Sequence, residues 1–367
     1  MMWWLVGCDG GGPVEPPGPG PCARGDAGVI CTVAGAGVSG SNGDDLHALE
    51  SWLFQPMFST LDVDGRFVFA DYNNNLIRRI DDDGFLRTVA GSGAHAYAID
   101  GEPALDCPLE NPVDVAIATD GTLFIYEQHG ARILRVPATT GLVETWVGRA
   151  LEPGYEGYEG DGGPGPDAAI SQGSGIALAD DGTLYIADTG NHAIRVVSPD
   201  GIVDTLAGNG EEGFVDGVGA EARFARPWGV VVDGGVLYVT DARNNAVRRV
   251  DRATGEVVTV AGTGVYGGSG DGGPALDAEL GSPQGLSVAL GGLYVADSDN
   301  DVIRRVDLAT GIIDTVVGQL GVDGDSGDGG PPTEALLHWP NDVLATPDGD
   351  LYVVDTLNAR VRRVSAP

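Results

Sequence analysis

Lysine is missing altogether from this chain of 367 residues, so each of its 20 basic side chains is an arginine. Ten of these recur in one repeated strand, at positions 78, 79, 135, 195, 248, 249, 304, 305, 362 and 363. Few remain for a basic patch, and 54 acidic residues bring the net charge to -34. Nucleic acid, whose binding rests on phosphate neutralisation, is therefore not an expected partner. Calcium or a cationic ligand suits the field better, although solubility alone accounts for an acidic surface. No stretch reaches the roughly 18 apolar residues of a membrane-spanning helix. Five His, at 47, 95, 129, 192 and 338, show no zinc-site spacing,. A Gly-Lys phosphate loop, a nucleophile elbow and a paired-Cys metal motif are all lacking, so the sequence makes no positive case for an enzyme.

Glycine, with 60 residues, and proline, with 22, are abundant instead. Both interrupt helices and populate turns, which in a 42% hydrophobic chain favours many short strands and an all-β class,. The strands come in a repeat. A hydrophobic run ends in Asp, Asn follows three residues on and Arg four after that, at Asp71/Asn74/Arg78, Asp188/Asn191/Arg195, Asp241/Asn244/Arg248, Asp297/Asn300/Arg304 and Asp355/Asn358/Arg362. A sixth copy, Glu127/Gly130/Leu134, keeps the spacing and loses the chemistry. The anchors lie 56, 61, 53, 56 and 58 residues apart, the period of a repeat array with one shared core,.

Each copy reads as a four-stranded antiparallel meander. In the fifth these are A from about Leu286, B over Leu293–Asp297, C over Val302–Val306 and D over Ile312–Val317, with Gly-rich turns between. The last copy ends after its C strand, whereas Gly28 to Gly35 matches the D strand at Gly255 to Gly262. If the first strand completes the last copy, a ring of six blades closes with no unpaired sheet. The expected fold is a six-bladed β-propeller over residues 27–367, acting as a monomer.

The runs Thr-Val-Ala-Gly, Gly-Asp-Gly-Gly-Pro-Ala, Pro-x-Gly-Val, Leu-Tyr-Val-Ala-Asp and Asn-x-x-Ile-Arg-Arg-Val make the chain resemble the bacterial NHL-repeat β-propellers. That resemblance implies the fold more than the function, because such propellers serve as scaffolds, adhesion modules and enzymes. A motif present in nearly every blade suits architecture. The Asp and Arg, seven apart across a hairpin, are expected to pair, and the Asn to take a left-handed turn position. Function is expected where the copies differ.

Residues after the Pro of strand A should face the central channel, and they vary: Met57, Asp114, Trp228, Gln284, Asn341 and Asp342 are ligand-binding candidates,. Asp114, Glu127, Asn341 and Asp342 could form a carboxylate and amide cluster like the metal centres of propeller lactonases. The D-to-A loops share a rim with the B-to-C turns and carry Asp44, Asp100, Asp161, Asp216, Asp271 and Asp328, an acidic binding face for a protein or glycan,. Tyr155 and Tyr158 in the longest loop offer contacts. Asp323, Asp325 and Asp328 suit calcium in a Gly-rich loop. The first expectation is a non-enzymatic scaffold. The alternative is a calcium-dependent hydrolase or lyase at the channel.

Leu5-Val6-Gly7-Cys8 resembles a bacterial lipobox, and residues 9–26 form a Gly/Pro-rich tether,. Residues 1–8 thus read as a truncated signal peptide with lipid on Cys8, which would place the protein at the cell envelope or outer surface, with that lipid as its only membrane contact. Repeat alignment puts Cys31 in the first strand with Cys22 nine residues earlier, a disulfide candidate for an oxidising compartment. Cys107 aligns with Ala168, Ala278 and Ala335, as a small packed residue.

Overall fold

The computed structural model describes residues 27–149 and 156–366, and they form six antiparallel sheets. Blade one runs from A (Pro56–Leu61) at the axis through B (Phe67–Asp71) and C (Leu76–Ile80) to D (Phe85–Ala90). The A strands of blades two to six are Pro112–Ile117, Ile176–Leu178, Pro227–Asp233, Pro283–Ala289 and Pro340–Ala345. Proline begins five of the six, which fits the first residue of an inner edge strand, where a missing N–H is tolerated,. In four blades a two-residue strand from the D-to-A loop adds a fifth member outside D: Leu46–His47, Gly163–Pro164, Gly217–Val218 and Gly273–Pro274.

The ring closes as the sequence predicts. The first strand, Ile30–Ala34, pairs antiparallel with the last, Arg360–Val364, placing Ile30 opposite Val364 and Thr32 opposite Arg362. Neighbouring blades are also joined by polar bonds. Hydroxyls just after the B strands donate to the Pro carbonyl of the next A strand, Thr189 to Pro227, Ser298 to Pro340 and, across the closure, Thr356 to Pro56, at 2.6, 2.6 and 2.7 Å.

The recurrent Asp and Arg do pair, and blade four shows how. Asp241 Oδ1 accepts the Ala225 N–H (2.7 Å), while Oδ2 accepts Asn244 and Arg248 Nη1, both at 2.8 Å. Arg248 Nη2 reaches Asp216 of the D-to-A loop at 2.7 Å, and Asp216 in turn accepts the Thr259 N–H and hydroxyl of strand D. Phe214 and Phe224 each lie 5.2 Å from the guanidinium carbon. Asp241 and Arg248 are wholly buried. Desolvation raises Asp71, Asp188, Asp241 and Asp355 to about 6 and Asp297 to about 7, against the pull of Asn and Arg. An N–H shortly before strand A meets the B-end acid in every blade, from Phe54, Glu110, Ala225, Gly281 and His338 two residues ahead of the strand and from Ser171 five ahead of the shorter one in blade three.

Two sequence expectations change. The left-handed position belongs to the residue after the motif Asn: Asn75, His192, Asn245 and Asp301 have φ of 57°, 51°, 48° and 57°. Their side chains accept an N–H of the next blade, from Asn111, Arg226, Ser282 and Trp339. The motif Asn itself bridges, as Asn244 does from Asp241 to the Gly213 carbonyl. The second change concerns blade two, which retains its ion pair. Arg132, directly opposite Glu127, contacts it at 2.5 Å and is 2% exposed. Arg132 lies two residues before Leu134, on the same face of strand C,. The longer Glu reaches it across the room an Asn would need, since a Cβ on Gly130 would stand 2.3 Å from Glu127 Oε2.

Removing one partner of a buried ion pair strands the other charge, at about 3–5 kcal/mol. Arg132→Leu is therefore expected to destabilise as much as Arg195→Leu, read as the change in denaturant midpoint at constant slope. A near-neutral Arg132→Leu would return blade two to a degenerate repeat.

Candidate functional site

Phe58, Asp114, Gly229, Gly285 and Asp342 are the third residues of their A strands, and Gly175 takes the equivalent place just before the shorter A strand of blade three. Glycine is required on one side, because a Cβ at Gly285 would lie 2.2 Å from Asp342 Oδ1 and one at Gly175 2.7 Å from the Trp228 carbonyl. Each Asp spans a blade boundary. Asp114 Oδ2 accepts the Ile176 N–H at 2.7 Å, and Asp342 Oδ2 accepts the Ser59 N–H at 2.9 Å and its hydroxyl at 2.6 Å. Both line a central cavity of about 200 Å³ with Phe58, Ser59, Val230 and Ser287 among its walls. Burial raises Asp342 to about 6 and Asp114 well above the usual carboxylate range, the latter also through the nearby Asp342 charge.

The other channel candidates sit one residue earlier. Met57 and Gln284 are buried, Asn341 is wholly buried and Trp228 is half-buried. Both amide atoms of Asn341, Gln284 Oε1 and Trp228 Nε1 lack a hydrogen-bond partner among the described residues, and such unmatched buried groups are uncommon in native folds,. Glu127 does not join the cluster: its carboxylate is held by Arg132 and by the N–H groups of Ala98 and Glu110. The axis therefore gathers Asp114 and Asp342 while blade two keeps Glu127.

On the loop face, the acids expected to attract ligand are largely committed to the architecture. Arg78 holds Asp44, Arg195 Asp161, Arg248 Asp216 and Arg304 Asp271, at 2.6–3.0 Å. Thr145 donates to Asp100. In the proposed calcium loop Arg362 and Arg360 engage Asp325, and Asp328 accepts the Thr32 N–H, while Asp323 is exposed. Tyr158 packs over Arg195 at 5.2 Å, the place Phe214 takes over Arg248. Tyr155 lies outside the described residues.

Beside partly exposed acids such as Asp45, Asp161 and Asp216, this face also offers apolar and aromatic side chains to solvent. Trp52, Phe54, Tyr97, Ile99, Phe214, Val265 and Tyr266 are all exposed in D-to-A loops. The turns of the opposite face expose fewer such groups, Val63, Leu142, Ile202 and Leu290. His95, Glu110 and His129 also come together on the loop face, without any shared spacing to announce it. Cys31 is disulfide-bonded and Cys107 is a buried free thiol; Cys22 and Cys8 lie outside the described residues. No helix among the described residues is long and apolar enough to cross a membrane.

Two family models match the chain, the teneurin NHL domain over residues 97–198 and the NHL repeat over residues 224–250. Over 272 residues it is 34% identical to NHL repeat-containing protein 2 of Bos taurus, an alignment covering 66% of this chain and 37% of that protein. The chain thus spans little more than a third of that relative's length. Among solved structures it is similar to an auxiliary nutrient binding protein of Bacteroides thetaiotaomicron, with TM-score 0.66, 13% identity and coverage of 91% and 75% of the two chains. It is also similar to virginiamycin B lyase of Staphylococcus aureus with quinupristin, with TM-score 0.51, 16% identity and coverage of 84% and 79%.

The channel acids give the fold a pH signature. Asp342 titrates near 6 folded against 3.8 in its ordinary state, so the folded form binds the proton more tightly. Its stabilising contribution is full below about 4 and is lost as pH rises through 6, on the order of 2–3 kcal/mol. Asp342→Asn can still accept from Ser59, and its chemical-denaturation midpoint is expected to fall less than the parent's between pH 4 and 7. Parallel curves would remove Asp342 as a titrating group.

Proposed function

Because the chain is an NHL-repeat β-propeller, we propose that it is a non-enzymatic, exported scaffold which binds a protein or glycan ligand through its D-to-A loop face. One observation carries this reading: the acids of that face are tied into the ring by arginine, while its aromatic and branched side chains are left to solvent. Exposed Tyr, Trp and Phe among polar groups are the usual composition of a recognition surface. The similar nutrient binding protein is by its name a binder, which agrees with the reading. Closure leaves no unfinished blade to recruit a second copy, so a monomer suffices.

Export and anchoring belong to the same proposal. The disulfide at Cys31 suits an oxidising compartment, with Cys22 as its partner, residues 9–26 as a tether and lipid on Cys8,. Mass spectrometry of the native amino terminus is expected to find a diacylglyceryl group on Cys8. An unmodified protein with reduced cysteines would overturn the anchor and the compartment.

Ligands are best sought on a glycan array and a panel of purified extracellular proteins. Tyr97→Ala and Tyr266→Ala should each weaken a retained ligand about tenfold, near 1.4 kcal/mol, by calorimetry. Binding untouched by either substitution, or by both together, would count against the loop face.

A second reading has one observation in its favour, the pair of buried carboxylates lining the central cavity. On it the channel holds calcium and turns over a small substrate as a hydrolase or lyase. Two acids beside the unmatched Asn341 amide are oxygen donors of the right kind, and calcium at millimolar level would then raise the thermal midpoint of the parent and not of Asp342→Asn,.

A further inference from the structure

We propose that His95, Glu110 and His129 form a site for one divalent metal ion of the zinc type on the loop face of blade two. The candidate donor atoms of the three side chains all lie within 4.8 Å of one another. Glu110 Oε1 is 2.9 Å from His95 Nε2 and 3.7 Å from His129 Nδ1.

The meeting point is a property of the repeat. His95 lies in the D-to-A loop, Glu110 two residues before the A strand and His129 in the B-to-C turn. The loop position is equivalent from blade to blade: Ser39, His95, Tyr266 and Asp323 make the same parallel bridge to Leu53, Leu109, Leu280 and Leu337. Matching positions touch elsewhere too, with the Ser171 hydroxyl 3.2 Å from Glu156 in blade three and Arg243 3.2 Å from Glu212 in blade four. Those blades carry Glu, Ser and Gly or Glu, Ala and Arg, which cannot hold a metal. Blade two alone supplies a metal donor at all three positions.

The chemistry selects the ion. Two imidazole nitrogens and one carboxylate oxygen suit zinc, copper, nickel or cobalt, whereas calcium and magnesium want more oxygen. Tetrahedral zinc holds its donors about 2.0–2.1 Å from the metal, hence about 3.4 Å from each other. Glu110 and both histidines need only small side-chain movements to reach that spacing. Their surroundings limit those movements: the Glu110 N–H is pinned to buried Glu127, His129 lies edge-on to Tyr72, and Tyr72 is fixed by its bond to Gln128. Asn111 Oδ1, 3.0 Å from His95 Nε2, gives up that contact when the nitrogen coordinates. Three protein ligands leave a fourth position open to solvent, where water, or a carboxylate or imidazole of a bound partner, completes the shell. The site shares the face assigned to ligand binding and does not depend on that assignment.

Untagged protein stripped with a chelator is titrated with zinc chloride by calorimetry, and with cobalt while its d–d absorption is followed. One equivalent is expected, with His95→Ala and His129→Ala each at least tenfold weaker and the cobalt bands lost. The two histidine side chains are 60% and 58% exposed, so these variants keep the fold, which circular dichroism checks,. His338→Gln, in the Glu110 position of blade six beside Leu357, should bind as the parent does. No saturable uptake near one equivalent, or unchanged affinity in His95→Ala and His129→Ala, overturns the proposal.

Discussion

A buried guanidinium held between two carboxylates is the interaction on which this molecule depends. In most blades an Arg of strand C takes one acid from the end of strand B and one from the D-to-A loop. Alone, either acid would be an expensive buried or half-buried charge. Together with Asn and backbone donors they turn a long Gly-rich loop into a fixed part of the blade. Arginine suits these buried positions because a planar fork with several donors can meet two acids and neighbouring carbonyls at once.

The blades then become a ring through bonds that each blade extends to the next. The left-handed residue after the motif Asn reaches the N–H preceding the following A strand, and hydroxyls reach its proline carbonyl. At the closure the same devices act between residues far apart in sequence, Thr356 with Pro56 and Asp342 with Ser59, reinforced by the shared sheet of Ile30–Ala34 and Arg360–Val364. A closed ring exposes no sheet edge at a missing blade, which protects it from association through strands.

The acidity of the chain changes meaning once these contacts are counted. The net charge of -34 already counts every arginine, so the excess acids remain; what the contacts decide is that the rim acids of four blades are each held by a buried arginine. The loop face displays aromatic side chains, and in blade two a pair of histidines, beside these half-exposed acids. Blade two departs most from the repeat and still preserves its ion pair, by lengthening the acid, deleting the Asn side chain and moving the arginine by one pleat.

The amino-acid sequence by itself determined the six blades, their four-stranded order and the borrowed strand that closes them. Those features rest on periodicity and turn chemistry, which are local and are repeated often enough to be read in register. It also placed Asp114 and Asp342 at the axis, because equivalent positions in a repeat share a location. Only the tertiary structure decided which charges are spent. Arg132 partners Glu127 because alternate strand residues share a face, so a frame counted from Leu134 misses the substitution. His95, Glu110 and His129 are 15 and 19 residues apart on three separate segments, and no spacing rule joins them. Such groups meet through the packing of loop on turn, a contact between distant parts of the chain that linear order does not encode.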